Sequence, residues 1–356
     1  NWNQVCHGGL ALGALAVAEH AADLAQQVIT RGRDNIHHAL AAYEPDGIYP
    51  EGPAYWQYGT TYNVLWIAAL ESALDDDLGL GDHEAFRASA DFYLHATGAT
   101  GRYFNFADGG SGRALAPAMH WFARRLARPA LLWNERDALE DFARRKVDRE
   151  GDGDRMLPFL LIWAQPTDNV PAPAALHWMG HGENPVAMHR SAWDPAATYL
   201  GFKGGMPAVN HGHMDIGSFV LERDGVRWAV DLGAQNYNSL EQAGIDLWNR
   251  SQDSERWTVF RLNNYSHNTL VVNDALQRVG DHAPIVDFAG EPDRAFSIVD
   301  MQPVYRDDLA AARRGVRLFG RDVLVQDELV AREDTSVRWG MATRAQATVE
   351  GQAATL

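Results

Sequence analysis

The chain has 356 residues, 46% of them hydrophobic, a formal net charge of −16 at pH 7 and one cysteine. That length suffices for two domains or one large one. The acidic balance, without a basic stripe, argues against nucleic acid as a partner. The lone Cys6 excludes an intrachain disulfide and any paired-thiolate zinc cluster. No apolar run reaches membrane-spanning length.

The opening "NWNQVCHGGLALGALAVAEHAADL" lacks a starting Met and reads as the interior of a helical domain, so an upstream part is expected. The compartment cannot be read from it. Asn1, Asn3 and Gln4 stand at a helix start, where amides either cap the helix or bind a carboxylate. Apolar residues at helical spacing predict helices over 9–29, 61–74, 81–97, 114–127 and 135–147. Between them lie Gly-, Pro- and Asp-rich loops at 43–53 and 106–114. Pro53 suits the first turn of a helix, and Tyr55, Tyr58 and Tyr62 then share one face of it. Such a stripe is either packing or, at a cleft rim, a source of proton-donating hydroxyls. Alternating long helices and irregular loops suit a helical toroid over residues 1–165.

Linker-like stretches at 149–156 and 164–177 lead to a period of two. Strands are predicted in 197–205, 217–233, 267–275 and 315–331, with hairpin turns at 223–225 and 320–322. Residues 166–356 therefore read as an antiparallel β domain. Twelve tryptophans exceed the needs of a core and suit a sugar cleft, although each one taken alone is first a core residue.

The chemistry concentrates in "VNHGHMDIGSFVLERDGVRWAVDLG", 209–233, and "YSHNTLVVND", 265–274. The turn at 223–225 returns Asp231 to the end of the hairpin that carries His213, and His267 opens a later strand. Two imidazoles and a carboxylate suit one divalent ion, zinc first. His211 lies two residues before His213, with Gly212 allowing a sharp turn between them. One imidazole is then expected on the metal and the other, as a neutral general base, in a cleft. The loop at 43–58 is expected to face the same cleft.

Together "NWNQVCHGGLALGALA", "DGIYPEGPAYWQYGTTY", "NHGHMDIGSFVLERDGVRWAVDLG" and "YSHNTLVVND" resemble the heparinase II/III-like polysaccharide lyases. The resemblance implies an α+β fold, an incomplete (α/α) toroid followed by an antiparallel β-sandwich. It implies β-elimination on a uronic-acid polymer or oligomer, with the wording nearest to the alginate and oligoalginate branch. A glycosaminoglycan lyase is the alternative. His211 matches the catalytic histidine; Tyr55 matches the acid, with Tyr58 one turn on; Asn1 matches the carboxylate neutraliser, with Asn3 the other register. His213, Asp231 and His267 match a structural metal site. Gln4, His7, Glu51, Arg250 and Arg256 are the substrate-binding candidates. The partner is an acidic saccharide, a homodimer is open, and a bacterial periplasmic, secreted or cytoplasmic setting is compatible. Two readings of other classes remain. An unsaturated-uronide hydrolase would use Glu51 and Asp46 as its carboxyl pair. A non-catalytic carbohydrate-binding protein would use the metal structurally.

Overall fold

The computed structural model describes residues 1–136, 155–291 and 294–356. The helix expected at 135–147 and most of the stretch at 149–156 lie outside the described residues. The chain divides into two compact units.

The first unit comprises Asn1–Tyr49, Pro53–Leu94 and Arg113–Ala174 and is helical. The periodicity over 9–29 belongs to two helices, α1 (Trp2–Val17) and α2 (Ala22–Asn35). The break has no Gly or Pro: the N–H groups of Ala18, His20 and Ala21 turn back onto the carbonyls of Leu15 and Val17. Helix α1 buries Gln4, Gly8, Ala11 and Ala14 at spacings of three and four. After the short α3 (His37–Leu40), α4 (Pro53–Leu74) starts at Pro53, as the fixed φ of proline favours. Helices α5 (Glu84–His95) and α6 (Pro117–Arg125) follow. Trp56 stacks on Tyr93 at 4.3 Å, and Phe86 meets Phe122 at 5.2 Å between ring centroids, which fixes this aromatic interior. No helix among the described residues is long and apolar enough to cross a membrane.

The second unit comprises Ala175–Leu356 together with Pro50–Gly52 and His95–Gly112. Among the described residues, β1 (His177–Gly180), β2 (Val186–Arg190), β3 (Tyr199–Lys203), β4 (Phe219–Arg223) and β5 (Val226–Ala229) form an antiparallel meander. Strand β6 (Leu270–Val272) pairs with β11 (Val337–Trp339). A second sheet runs in the order β10-β9-β8-β7, with β7 at Ile285–Glu291, β8 at Arg294–Asp300, β9 at Leu309–Phe319 and β10 at Asp322–Ala331. Ala187, Leu200, Phe202 and Phe219 from one sheet share a core with Val299, Ala312 and Val316 from the other. The hairpin at 223–225 forms as read: Asp224 and Gly225 both take positive φ, 54° and 75°, the two-residue turn that matches strand twist. Strands β1, β2, β7 and β8 escape a reading by pattern. The burial of β2 is complete on both faces, so its polar His189 and Arg190 hide the strand signal.

The segment 95–112 is the main departure from the expected division at residue 165. Its loop looks like a connection between helices, yet polar groups on the meander hold it within the β unit. Glu222 accepts Thr100 N–H and Oγ1 at 2.8 Å each, and Arg227 Nε at 2.6 Å. Arg190 Nη2 donates to the carbonyls of His95 and Thr97 at 3.1 and 3.0 Å. Tyr199 donates to His95 O at 3.0 Å. All three anchoring side chains, Glu222, Arg190 and Tyr199, are buried.

A second buried polar group bridges the sheets. His189 Nε2 lies 2.7 Å from Ser297 Oγ on β8, and its Nδ1 lies 3.1 Å from His177 Nδ1 on β1. Burial, with His177 alongside, pushes His189 down to about 3 from an ordinary 6.5. The folded state thus holds His189 neutral where the unfolded chain would protonate it. Its contribution is fully present above about 6.5 and declines as pH falls towards 3. Thermal melts of wild type and His189→Gln should show a wild-type advantage near neutrality that shrinks on acidification. A gap that is constant with pH refutes this assignment.

Candidate active site

The turn "NHGHMD" precedes β4 and is built by backbone constraint. His211 takes φ +59°, a left-handed conformation that a non-glycine residue adopts only when its surroundings demand it. Gly212 has no room for a side chain: a Cβ there would lie 2.3 Å from the carbonyl oxygen of Pro207. The sharp turn anticipated at Gly212 therefore exists, with the left-handed residue being His211 itself. Asp108 N–H donates to His211 O at 3.0 Å and ties this turn to the 95–112 segment.

Asp108 was not anticipated as a site residue. Its Oδ2 lies 3.0 Å from His211 Nδ1 and accepts the Tyr237 hydroxyl at 2.8 Å. Its Oδ1 lies 2.9 Å from His213 Nε2. Arg256 Nη2 approaches both oxygens at 3.5 Å and donates to Gly212 O at 2.8 Å. Burial alone would raise the Asp108 pKa, but the hydrogen bonds from His211 and His213 and the charges of His213 and Arg256 outweigh it. The carboxyl sits well below the usual carboxylate range. An ionised Asp108 accepts only, so it is the Nδ1–H of His211 that faces it. The two histidines, expected to serve a metal and a cleft separately, share one carboxylate.

His213, Asp231 and His267 do meet. The imidazoles of His213 and His267 are 5.2 Å apart, and His267 Nδ1 lies 2.7 Å from Asp231 Oδ2. Asp231 Oδ1 accepts Gly233 N–H at 2.8 Å. Burial, the largest influence, disfavours charge on both members of the pair. Their mutual attraction prevails, lowering Asp231 and raising His267. Burial lowers His213, against Asp108. Two buried nitrogens have no hydrogen-bond partner, His213 Nδ1 and His267 Nε2. Among the described residues, no group of three or more His, Cys, Asp or Glu is disposed to hold a metal ion.

The other candidates separate by burial. Arg256 is 1% exposed, with Nη1 on Leu247 O at 3.1 Å, so it braces the histidine turn instead of facing substrate. Arg250 is exposed. Glu51, which falls in the β unit, is buried and accepts Asn210 Nδ2 at 3.1 Å. That contact lies within the β unit and occupies a carboxyl that a hydrolase would need. In the helical unit, Gln4 is fully buried: it accepts the Tyr43 hydroxyl at 2.8 Å and donates to Tyr49 at 3.4 Å, so its role there is packing. Asn1, Asn3, His7, Tyr55 and Tyr58 are partly exposed. Asn3 Nδ2 donates to Asn35 O at 3.4 Å, while its Oδ1 is buried without a partner. His7, beside Trp66, is lowered by burial and by Arg31. Arg155 lies over the rings of Tyr58 and Tyr62 at 5.4 and 5.6 Å.

Asp108 and Tyr237 carried weak signals in the sequence. Asp108 lies in a loop and Tyr237 opens a short helix, Tyr237–Gln242, and the site residue that each meets, His211, is more than twenty positions away. Removing Asp108 leaves two imidazoles and a guanidinium without their shared acceptor. Asp108→Ala should cost about 3–5 kcal/mol in urea unfolding, the range for breaking a buried charged pair. A loss under about 0.5 kcal/mol, the scale of an ordinary surface change, would remove Asp108 from the centre of this site.

Residues 181–356 match the family model described as "Heparinase II/III-like, C-terminal". No curated protein matches the sequence. Among solved structures, a heparinase III gives a TM-score of 0.68 at 14% identity, covering 97% of this chain and 50% of its own. A mutant heparan sulfate lyase HepC from Pedobacter heparinus gives 0.65 at 13% identity, covering 96% of this chain and 48% of its own. Another heparinase III gene product gives 0.63 at 15%, with 97% and 48% covered. The chain thus spans about half the length of these neighbours, whose likeness at such identities is one of fold. Residues 181–356 thus form a heparinase II/III-like C-terminal domain, and the chain as a whole shares its fold with these structures.

Proposed function

We propose that this chain belongs to a polysaccharide lyase that cleaves a uronic-acid-containing glycosaminoglycan of the heparan sulfate class by β-elimination. The observation that carries the reading is the pairing of Asp108 with Nδ1 of His211, a histidine inside the heparinase II/III-like domain at 181–356, which leaves Nε2 to act as the base. The structural neighbours, a heparinase III and a heparan sulfate lyase, favour a glycosaminoglycan over alginate. The alginate preference drawn from the wording of the sequence finds no support among these comparisons.

In the proposed reaction His211 Nε2 removes the proton at C5 of the uronate. The electron pair left at C5 forms the C4–C5 double bond as the C4–O bond breaks. The departing oxygen takes a proton from a tyrosine, Tyr55 or, one turn on, Tyr58. An amide, Asn1 or Asn3, hydrogen-bonds the uronate carboxylate and stabilises the charge that builds there in the transition state. Arg250, exposed on the β unit, is offered as a partner for the polyanion. His7 borders the substrate in this reading, and Glu51 acts through Asn210, whose amide it accepts.

A divalent ion, with zinc suited to nitrogen and oxygen ligands, is proposed at His213, Asp231 and His267. The three side chains as they stand are not disposed to hold an ion, so binding would have to draw them together; what supports the reading is the pair of buried, unpartnered nitrogens His213 Nδ1 and His267 Nε2. Such an ion would supply a structural tie between the histidine turn and the start of β6. Elemental analysis of purified protein should find about one equivalent, lost in His213→Ala together with thermal stability; wild type without bound metal refutes it.

The function is tested with the full-length protein on heparan sulfate, hyaluronan, chondroitin and alginate, by the ultraviolet absorbance of a conjugated unsaturated product. Absorbance should grow first on heparan sulfate. His211→Ala and the correct Tyr→Phe variant should each lose ~10²–10⁴-fold in turnover, the usual share of a general acid or base. Reducing ends without new absorbance would mean a hydrolase, and binding without cleavage a carbohydrate-binding protein. Full activity in His211→Ala refutes the mechanism.

A further inference from the structure

Trp248 is 51% exposed, yet its indole is held in place. Its Nε1 donates to Glu241 Oε1 at 3.1 Å. Its ring meets Tyr237 at 5.1 Å and 71°, and His211 at 5.8 Å and 89°. Tyr237 in turn stacks with His211 at 6.3 Å and 20°. The preceding residue, Leu247, is 1% exposed and belongs to a small core with Met214, Trp257 and Leu262. The backbone under the indole is therefore anchored.

Leaving half an indole in water forgoes burial that the fold achieves for Trp257, nine residues on and 1% exposed. The half-exposed surface stands beside the histidine that the proposed reaction uses as its base. Charge points to what this surface takes. At −16 the protein gains little long-range attraction for a polyanion. A pyranose carries its carboxylate and sulfate groups around the ring and leaves a face of C–H bonds, which packs on an aromatic plane without needing charge.

We propose that Trp248 is a sugar-stacking platform: the C–H face of a pyranose in the acidic glycan packs on the exposed indole next to His211. The proposal rests on the lyase reading and adds a binding residue to it. Its contribution is to affinity, and being apolar it persists when salt screens the ionic contacts.

The test measures binding of a heparan sulfate hexasaccharide by calorimetry in the full-length His211→Ala background, and kcat and KM in the active protein. Trp248→Ala should weaken affinity and raise KM by about three- to ten-fold, the scale of an aromatic contact. Turnover should stay within about twofold, because the contact forms equally in ground and transition states. Trp248→Phe should recover most of the loss, and the loss should be similar at about 0.1 and 0.5 M salt. An unchanged affinity overturns the proposal, as does a fall in kcat at constant KM, which would make the indole a prop for His211. If wild type cleaves the glycan while Trp248→Ala binds it as tightly as Trp248 protein does, the stacking role fails and the lyase reading survives. If wild type neither binds nor cleaves any polyuronate, both fail.

Discussion

Burying a carboxylate is costly unless donors surround it, and at Asp108 they do. His211, His213, Tyr237 and Arg256 converge on its two oxygens, while its own N–H closes onto His211 O. This convergence fixes the tautomer of each histidine, and a positive φ at His211 is tolerated because so many bonds depend on it. Nδ1 of His211 and Nε2 of His213 are thereby both turned towards Asp108. The properties of the site follow from one acidic side chain supplied by a loop far away in sequence.

That loop is itself held by buried charge. Glu222, Arg227, Arg190 and Tyr199, spread over four strands of the meander, satisfy the backbone and side chains of residues 95–105. Asn105 extends the network, accepting Arg227 Nη1 at 3.2 Å and donating to Asp231 Oδ1 at 3.4 Å. The Asp231–His267 pair and the His211–His213 pair are thus fastened to the same segment. Loss of any anchoring group would be felt at both, because an unpaired buried polar group costs more than the bond it made.

The tryptophans show how tertiary context sorts one residue type. Trp56, Trp66, Trp121 and Trp257 vanish into interiors, whereas Trp248 stays half in solvent beside His211. In sequence Trp248 and Trp257 flank the same short, polar stretch and look equivalent. Their fates differ because Trp257 caps a small core with Met214 and Leu262, while Glu241 and Tyr237 hold Trp248 at the rim.

Local pattern in the sequence was enough to determine that helices come before strands along the chain, the hairpin at 223–225, and the start of α4 at Pro53. Each depends on neighbours in the chain: side-chain period, a two-residue turn with positive φ, the fixed φ of proline. The histidine turn was legible too, because His211, Gly212 and His213 are adjacent. Tertiary structure alone decided the rest. Asp108 and Tyr237 reach His211 across 103 and 26 residues, and no local pattern records such a meeting. Arg256 and Gln4 belong to types that favour the surface, yet both are buried because particular acceptors and donors await them inside. Whether a polar side chain binds a ligand or the protein's own backbone depends on which partners arrive around it, and folding alone assembles those partners.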